Sequence, residues 1–183
     1  IVTYAVTVAE GITGGRVEAP KTAAVGSAVT LTVTPDSGKV LTALTYTVAG
    51  GQATDIDLET KSFVMPAGDV TINATFATTY TVAVATGIED ATVTVDKDTA
   101  IEGAEITVTV ADVTEGKELT ALTYTVAGSE EAQNIDTATM KFTMPAGNVT
   151  VNATFAPLAH QTSSAEGTGD ATEPTTVDVN GFT

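Results

Sequence analysis

The stretch Met65-Pro66-Ala67-Gly68-Asp69-Val70-Thr71-Ile72-Asn73-Ala74-Thr75-Phe76 occurs twice in this chain. It returns as Met144-Pro145-Ala146-Gly147-Asn148-Val149-Thr150-Val151-Asn152-Ala153-Thr154-Phe155, with only Asp→Asn and Ile→Val changed. Its opening Pro and Gly suit a tight turn, and the residues that follow alternate between apolar and polar side chains, as in a half-buried strand. The stretch therefore predicts a turn followed by a β-strand, repeated once along the chain.

The rest of the chain repeats in the same register. Residues 41–50 recur unchanged as residues 119–128, and Tyr4 has its counterpart in Tyr80. This predicts two copies of one module followed by an acidic tail rich in Thr, Ser and Gly: residues 1–77, residues 78–156 and residues 157–183. Because only three residues separate Phe76 from Tyr80, we expect little hinge freedom between the copies.

Period-2 alternation of apolar and polar residues runs through both copies. Val29, Leu31 and Val33 alternate with threonines, and the same pattern returns at residues 106–110. Such alternation is typical of half-buried antiparallel strands with a wet threonine face. We count about six strands per copy and no amphipathic helix, which predicts an all-β protein made of two small tandem modules.

The composition excludes several classes of function. The chain has 23 acidic and 7 basic residues, a net charge of −16 and no cysteine. The acid excess argues against nucleic acid and anionic membranes as partners, because both need clustered Lys and Arg. Without cysteine there is no disulfide, thiolate metal site or Cys nucleophile, and no apolar run is long enough to span a bilayer.

Three landmarks together carry a family resemblance. They are an aromatic opening strand (Tyr4-Ala5-Val6-Thr7-Val8), a glycine-led strand (Gly26-Ser27-Ala28-Val29-Thr30-Leu31) and the closing stretch from Phe63 to Phe76. Each returns in the second copy, and the chain resembles the divergent branch of the internalin B-type repeats of bacterial surface and secreted proteins. The resemblance implies β-grasp-like or sandwich-like modules that occur in tandem, are non-catalytic, and act as spacers or adhesive units outside the cell.

Aromatic and methionine side chains at the repeated positions are the predicted core. All four tyrosines fall at core-facing positions and the chain has no Trp, so no ring platform for stacking sugars is expected. The core-packing signature consists of Phe63, Met65, Phe76, Phe142, Met144 and Phe155.

Two polar features are candidate sites. The segment Asp55-Ile56-Asp57-Leu58-Glu59 places three carboxylates on one side of an extended chain, either as a hard-cation site or as an acidic surface loop. Lys61 shares strand parity with Phe63, so its amine could form an intramolecular crosslink or reach water past a packed stem. We favour the surface loop and the water-exposed amine, and we predict no metal site.

The remaining motifs are weak. Asn73, Asn148 and Asn152 each begin a sequence that fits the N-glycosylation acceptor, but we favour their interpretation as polar residues on strand faces. His160 is the one imidazole and stands among polar tail residues, where a solvated role is expected. No serine lies in a nucleophile elbow, so we predict no catalytic residue, no cofactor and no enzyme.

The tail carries the final prediction. Its first part has linker composition, but its end alternates like a strand, with Val177 and Val179 as candidate strand donors and Phe182 as an anchor beyond them. The recipient edge would belong to its own module or to the next copy of the chain, and donation to a neighbour would build a head-to-tail polymer.

The sequence thus favours an extracellular or cell-surface structural module, acting as a spacer, stalk or filament subunit. Its expected partners are further copies of itself or neighbouring domains of a larger surface protein. The alternative is an adhesive module for glycan or protein, attached to a secreted enzyme.

Overall fold

The computed structural model describes residues 1–158, which form sixteen β-strands and no helix. Strands of the first copy are β1 (Thr3–Val8), β2 (Gly15–Glu18), β3 (Thr22–Ala24), β4 (Ala28–Thr30), β5 (Thr32–Pro35), β6 (Lys39–Val48), β7 (Ala53–Asp55) and β8 (Ser62–Val64). The long strand β9 (Val70–Val84) follows. The second copy adds β10 (Thr92–Val95), β11 (Thr99–Ile101), β12 (Glu105–Ala111), β13 (Lys117–Val126), β14 (Ala132–Asn134), β15 (Lys141–Thr143) and β16 (Val149–Pro157). The predicted all-β fold with two tandem modules is confirmed.

Each module has two layers. In the first module, the larger layer has the strand order β3-β1-β9-β6-β7, and the smaller one joins β2 to β5 and β4 to β8. Only Leu31 separates β4 from β5, so these two act as one interrupted strand. The second module repeats the plan with β11-β9-β16-β13-β14 and β10-β12-β15. The strands beyond the predicted six include three-residue edge strands, too short to show an alternating pattern.

The core of each module lies between its two layers. In the first module Val6, Leu44 and Ile72 come from the larger layer, and Leu31 and Phe63 from the smaller one. Their counterparts in the second module are buried in the same way. Threonines that alternate with these residues, such as Thr71 and Thr150, are exposed, as the period-2 pattern predicts.

The antiparallel pairing expected from the alternation was wrong for one pair of strands in each module. β1 runs parallel to β9 with Val6 opposite Val70, and β9 runs parallel to β16 with Val82 opposite Val149. The reason is topological, because the first and last strands of each module lie side by side in its larger layer, and an even alternation of faces does not encode strand direction.

Strand β9 belongs to both modules. Its first half lies between β1 and β6, and its second half lies between β11 and β16, so that one nine-stranded sheet crosses the whole described part of the chain. The predicted boundary between residues 77 and 78 falls inside this strand. In residues 1–158 we find no helix that could span a membrane.

Candidate functional site

The two modules meet at four paired residues, which we call the module joint. It consists of Thr78 and Thr79 of β9 together with Lys39 and Ile101. Thr78 is paired with Lys39 of the first module, while Thr79 is paired with Ile101 of the second. The Lys39 ammonium donates to the hydroxyl of Thr78 at 2.7 Å, and the Thr79 N–H donates to the Gly38 carbonyl at 2.9 Å. No unpaired link separates the modules, because backbone pairing passes from one to the other within a single residue step.

The end of β16 reproduces the first-module half of this joint. Pro157 pairs with Lys117, and the N–H of Leu158 donates to the Gly116 carbonyl at 2.8 Å. Pro157 has no hydroxyl for the lysine, and the Lys117 ammonium instead contacts the carboxylate of Asp90 at 2.7 Å. Both modules thus have a lysine at this position, with a different polar partner in each.

The turn before β9 and the turn before β16 supply a side-chain contact to the parallel pairs. Asp69 accepts a hydrogen bond from the Ala5 N–H at 2.8 Å, and Asn148 accepts one from the Thr81 N–H at 2.9 Å. Each acceptor precedes the first residue of its strand and bonds the neighbouring strand just before parallel pairing begins. The Asp→Asn change between the copies keeps the acceptor oxygen, which is the atom that makes this bond.

The repeated turn itself is held by close packing. A Cβ added to Gly68 would lie 2.8 Å from the Cγ1 of Val48, and one added to Gly147 would lie 2.7 Å from the Cγ1 of Val126. Those distances are shorter than any ordinary carbon contact, and valine is stiff at χ1. Glycine is therefore required here by the close approach of β6 or β13.

The core-packing signature divides into two groups. Met65 and Met144 are almost fully buried, and Phe63 and Phe142 are buried and stack on Tyr46 and Tyr124 with ring centroids 4.6 and 4.5 Å apart. The last two members, Phe76 and Phe155, are only half-buried and pack at the margin of each core. The ring of Phe76 covers Gly15, where a Cβ would come within 2.5 Å of its Cζ atom.

The acidic segment folds into a turn. The Asp57 carboxylate accepts hydrogen bonds from the N–H groups of Thr60 and Glu59, at 2.8 and 2.9 Å. Both bonds lower the pKa of the Asp57 carboxyl, and the bond from the Thr60 N–H has the larger effect. Asp136 accepts the equivalent bond from Ala138 in the second module. Within residues 1–158 no group of three or more metal-binding side chains comes together.

Lys61 has an unusual backbone conformation. Its φ is +49°, Met140 at the same place in the second module has +55°, and each N–H closes a turn onto the carbonyl four residues earlier. Residues that carry a Cβ rarely adopt this left-handed backbone region. The residue therefore ends a turn before β8, where strand parity is no guide to the direction of the amine. Within the described residues that amine has no hydrogen-bond or ion-pair partner.

The predicted glycosylation sites differ in their contacts. Asn73 and Asn152 are exposed, and each side-chain oxygen accepts a bond from the N–H of its own next residue, Ala74 or Ala153. Asn148 is instead committed to Thr81 of another strand. Sequence reasoning assigned all three to one class, because the partner of Asn148 is 67 residues away. His160 and the candidate strand donors Val177, Val179 and Phe182 lie outside the described residues.

Comparison with known proteins gives one result. A family model described as the divergent InlB B-repeat domain matches the chain twice, over residues 4–79 and 80–159. No curated protein and no solved structure matches it. The two matches adjoin between Thr79 and Tyr80, inside β9 and one residue from the step at which its pairing passes between modules.

Proposed function

The chain belongs to the divergent InlB B-repeat family, and we propose that it is a non-catalytic spacer or stalk segment of an extracellular protein. Repeats of this family are modules associated with bacterial surfaces. A spacer must hold a distance, and its useful property is therefore stiffness between modules.

The module joint carries this proposal. The residues of a flexible linker make no backbone pairs with the domains on either side. Here Thr78 and Thr79 are both paired, one to each module. Bending at this point would break ladder hydrogen bonds and separate Lys39 from Thr78. Neighbouring modules are thus coupled as parts of one sheet, as in repeat proteins whose units contact only their neighbours.

The surface chemistry supports a passive role. The second module has carboxylates at positions where the first module has none. All of them are exposed, except Asp90, which is half-buried beside Lys117. Its three lysines each contact a carboxylate: Lys97 with Asp96, Lys117 with Asp90 and Lys141 with Glu105. An acidic coat of this kind favours solubility and discourages non-specific association.

The alternative role as a glycan-binding adhesive module is less well supported. Tyr4, Tyr46, Tyr80 and Tyr124 all pack against the cores. Within residues 1–158 no tyrosine is therefore left as an open platform for a sugar ring.

A distance measurement between the modules tests the spacer proposal. Because the chain contains no cysteine, Gln52→Cys and Gln133→Cys would introduce two unique labelling sites at exposed positions of the two modules. We expect a narrow distribution of spin-label distances in the full chain.

A four-residue Gly-Ser insertion between Thr78 and Thr79 should broaden that distribution. The same insertion between Gly128 and Ser129, in an exposed turn of the second module, is the matched control and should leave it narrow. An unmodified chain with a distribution as broad as that of the joint insertion would refute the proposal.

A further inference from the structure

The two parallel strand pairs lie on one continuous path through the molecule. The chain enters the first module along β1, leaves it along β9, and leaves the second module along β16. β1 is a direct neighbour of β9, and β9 is a direct neighbour of β16. The entering and leaving strands of each module are therefore hydrogen-bonded to each other.

The direction of these strands decides how they would respond to tension. In each pair the strands are parallel, so a pull on the two chain ends draws one strand backwards and the other forwards along the same axis. The hydrogen bonds between them lie across that axis and are loaded together. An antiparallel pair pulled apart from one end would instead lose its bonds one at a time.

The first parallel pair has a compact set of bonds. Val6, Thr7 and Val8 of β1 lie opposite Val70, Thr71 and Ile72 of β9. The pairing is closed at one end by the bond from the Ala5 N–H to the Asp69 carboxylate, and at the other by the bond from the Ala9 N–H to the Ile72 carbonyl at 2.8 Å.

The second parallel pair repeats that set. Val82, Ala83 and Val84 of β9 lie opposite Val149, Thr150 and Val151 of β16. Its two ends are closed by the bonds from Thr81 to Asn148 and from Ala85 to the Val151 carbonyl, at 2.9 and 2.8 Å.

Buried side chains shield one face of each pair from water, while Thr71 and Thr150 lie on the exposed face. Val6, Val70 and Ile72 in the first pair are each less than a tenth exposed, and so are Val82, Val149 and Val151 in the second. A hydrogen bond in a water-poor environment is stronger than one in water. Water also has less access to compete for a bond as it lengthens under load.

We propose that each parallel pair is a shear clamp, so that the chain bears tension between its ends with β9 transmitting the load from one clamp to the other. The inference rests on the proposed spacer role, which it deepens by naming the force that the spacer carries. It assigns a mechanical purpose to Asp69 and Asn148, which bond across the clamps with their side chains.

Single-molecule pulling on the full chain tests the clamp through its geometry. Force applied through the chain ends should require a higher unfolding force than force applied through Gln52→Cys and Ala67→Cys. Those two exposed positions lie after β6 and before β9, so the load between them passes through β7 and β8 and bypasses both parallel pairs. Equal or lower resistance between the chain ends would overturn the proposal.

A substitution series tests the side-chain contact. Asn148→Ala should raise the unfolding rate of one module at fixed force by roughly two- to tenfold, the effect of losing about one net hydrogen bond. Asn148→Asp keeps an acceptor, as Asp69 does in the first module, and should preserve the wild-type rate. Asn152→Ala is the matched control, because its side chain bonds only its own neighbour.

The two proposals fail in different measurements. A narrow distance distribution between the modules combined with no difference between the pulling geometries would leave a rigid spacer without shear clamps. A broad distribution would remove the spacer role whatever the unfolding forces are. An Asn148→Ala rate equal to that of wild type would overturn the role of the side-chain contact.

Discussion

Thr78 and Thr79 are consecutive residues of one strand, yet they pair with different modules: Thr78 with Lys39 and Thr79 with Ile101. The sequence repeat and the hydrogen-bonded sheet therefore have different units. The repeat divides the chain into two copies, whereas the larger layers of those copies are one sheet.

The signature aromatics should differ in their contribution to stability. Phe142 is buried and stacks on Tyr124, and Phe142→Ala should cost about 3–5 kcal/mol, the range for a core phenylalanine. Phe155 is half-buried, and Phe155→Ala should cost less, about 1–3 kcal/mol. Denaturant titration of the two variants gives the order, and a larger loss for Phe155 would contradict its half-buried position at the margin of the core.

The glycine of the repeated turn should resist substitution. Gly147→Ala places a methyl group against Val126 and should destabilise the protein by about 1–3 kcal/mol, the usual cost of overpacking. Ala146→Ser at the neighbouring exposed position is the control and should change the unfolding free energy little. A stable Gly147→Ala variant would show that β13 can move away from the turn.

The Asp57 turn should make a pH-dependent contribution. The N–H groups of Thr60 and Glu59 lower the folded-state pKa of Asp57 below its ordinary value. Its contribution is therefore complete above about pH 4 and is lost as the pH falls through the lowered pKa. The difference in unfolding free energy between wild type and Asp57→Ala, measured across this range, should shrink with acid. A difference that grows in acid would contradict this assignment.

The acidic coat of the second module should respond to salt. Glu118, Glu130 and Glu131 are exposed like-charged residues, and replacing all three with Gln should raise the melting temperature at low ionic strength. The gain should fall at high salt, where the repulsion is screened. Melting curves at two salt concentrations decide the matter, and an effect independent of salt would point away from charge repulsion.

The prediction that the tail donates a β-strand rests on the sequence. If Val177 and Val179 add a strand to a neighbouring chain, light scattering should detect polymers of the full chain, and deleting residues 177–183 should abolish them. A strictly monomeric full-length chain, or a truncated chain that still assembles, would contradict strand donation.

The sequence could predict the fold where the signal was local. Alternation identified the buried faces, as at Val29 and Leu31, because one side of each strand meets the core. It could not identify the parallel neighbours Val6 and Val70, because pairing between distant segments leaves no mark on either one alone. The contact of Asn148 was hidden for the same reason, and its fit to a short acceptor motif pointed to a different chemistry.

The shared strand also bears on how the protein acquires its structure during synthesis. Domains generally fold as units, starting from the N-terminus. When the first module forms, it orders the first half of β9 and holds the residues that follow, from Thr79 to Val84, at its margin. These residues offer a template on which β11 and β16 can align, which lowers the entropic cost of starting the second module. Folding should therefore spread from the first module to the second. A mutation in the first half of β9 should then also delay the folding of the second module, which carries no mutation.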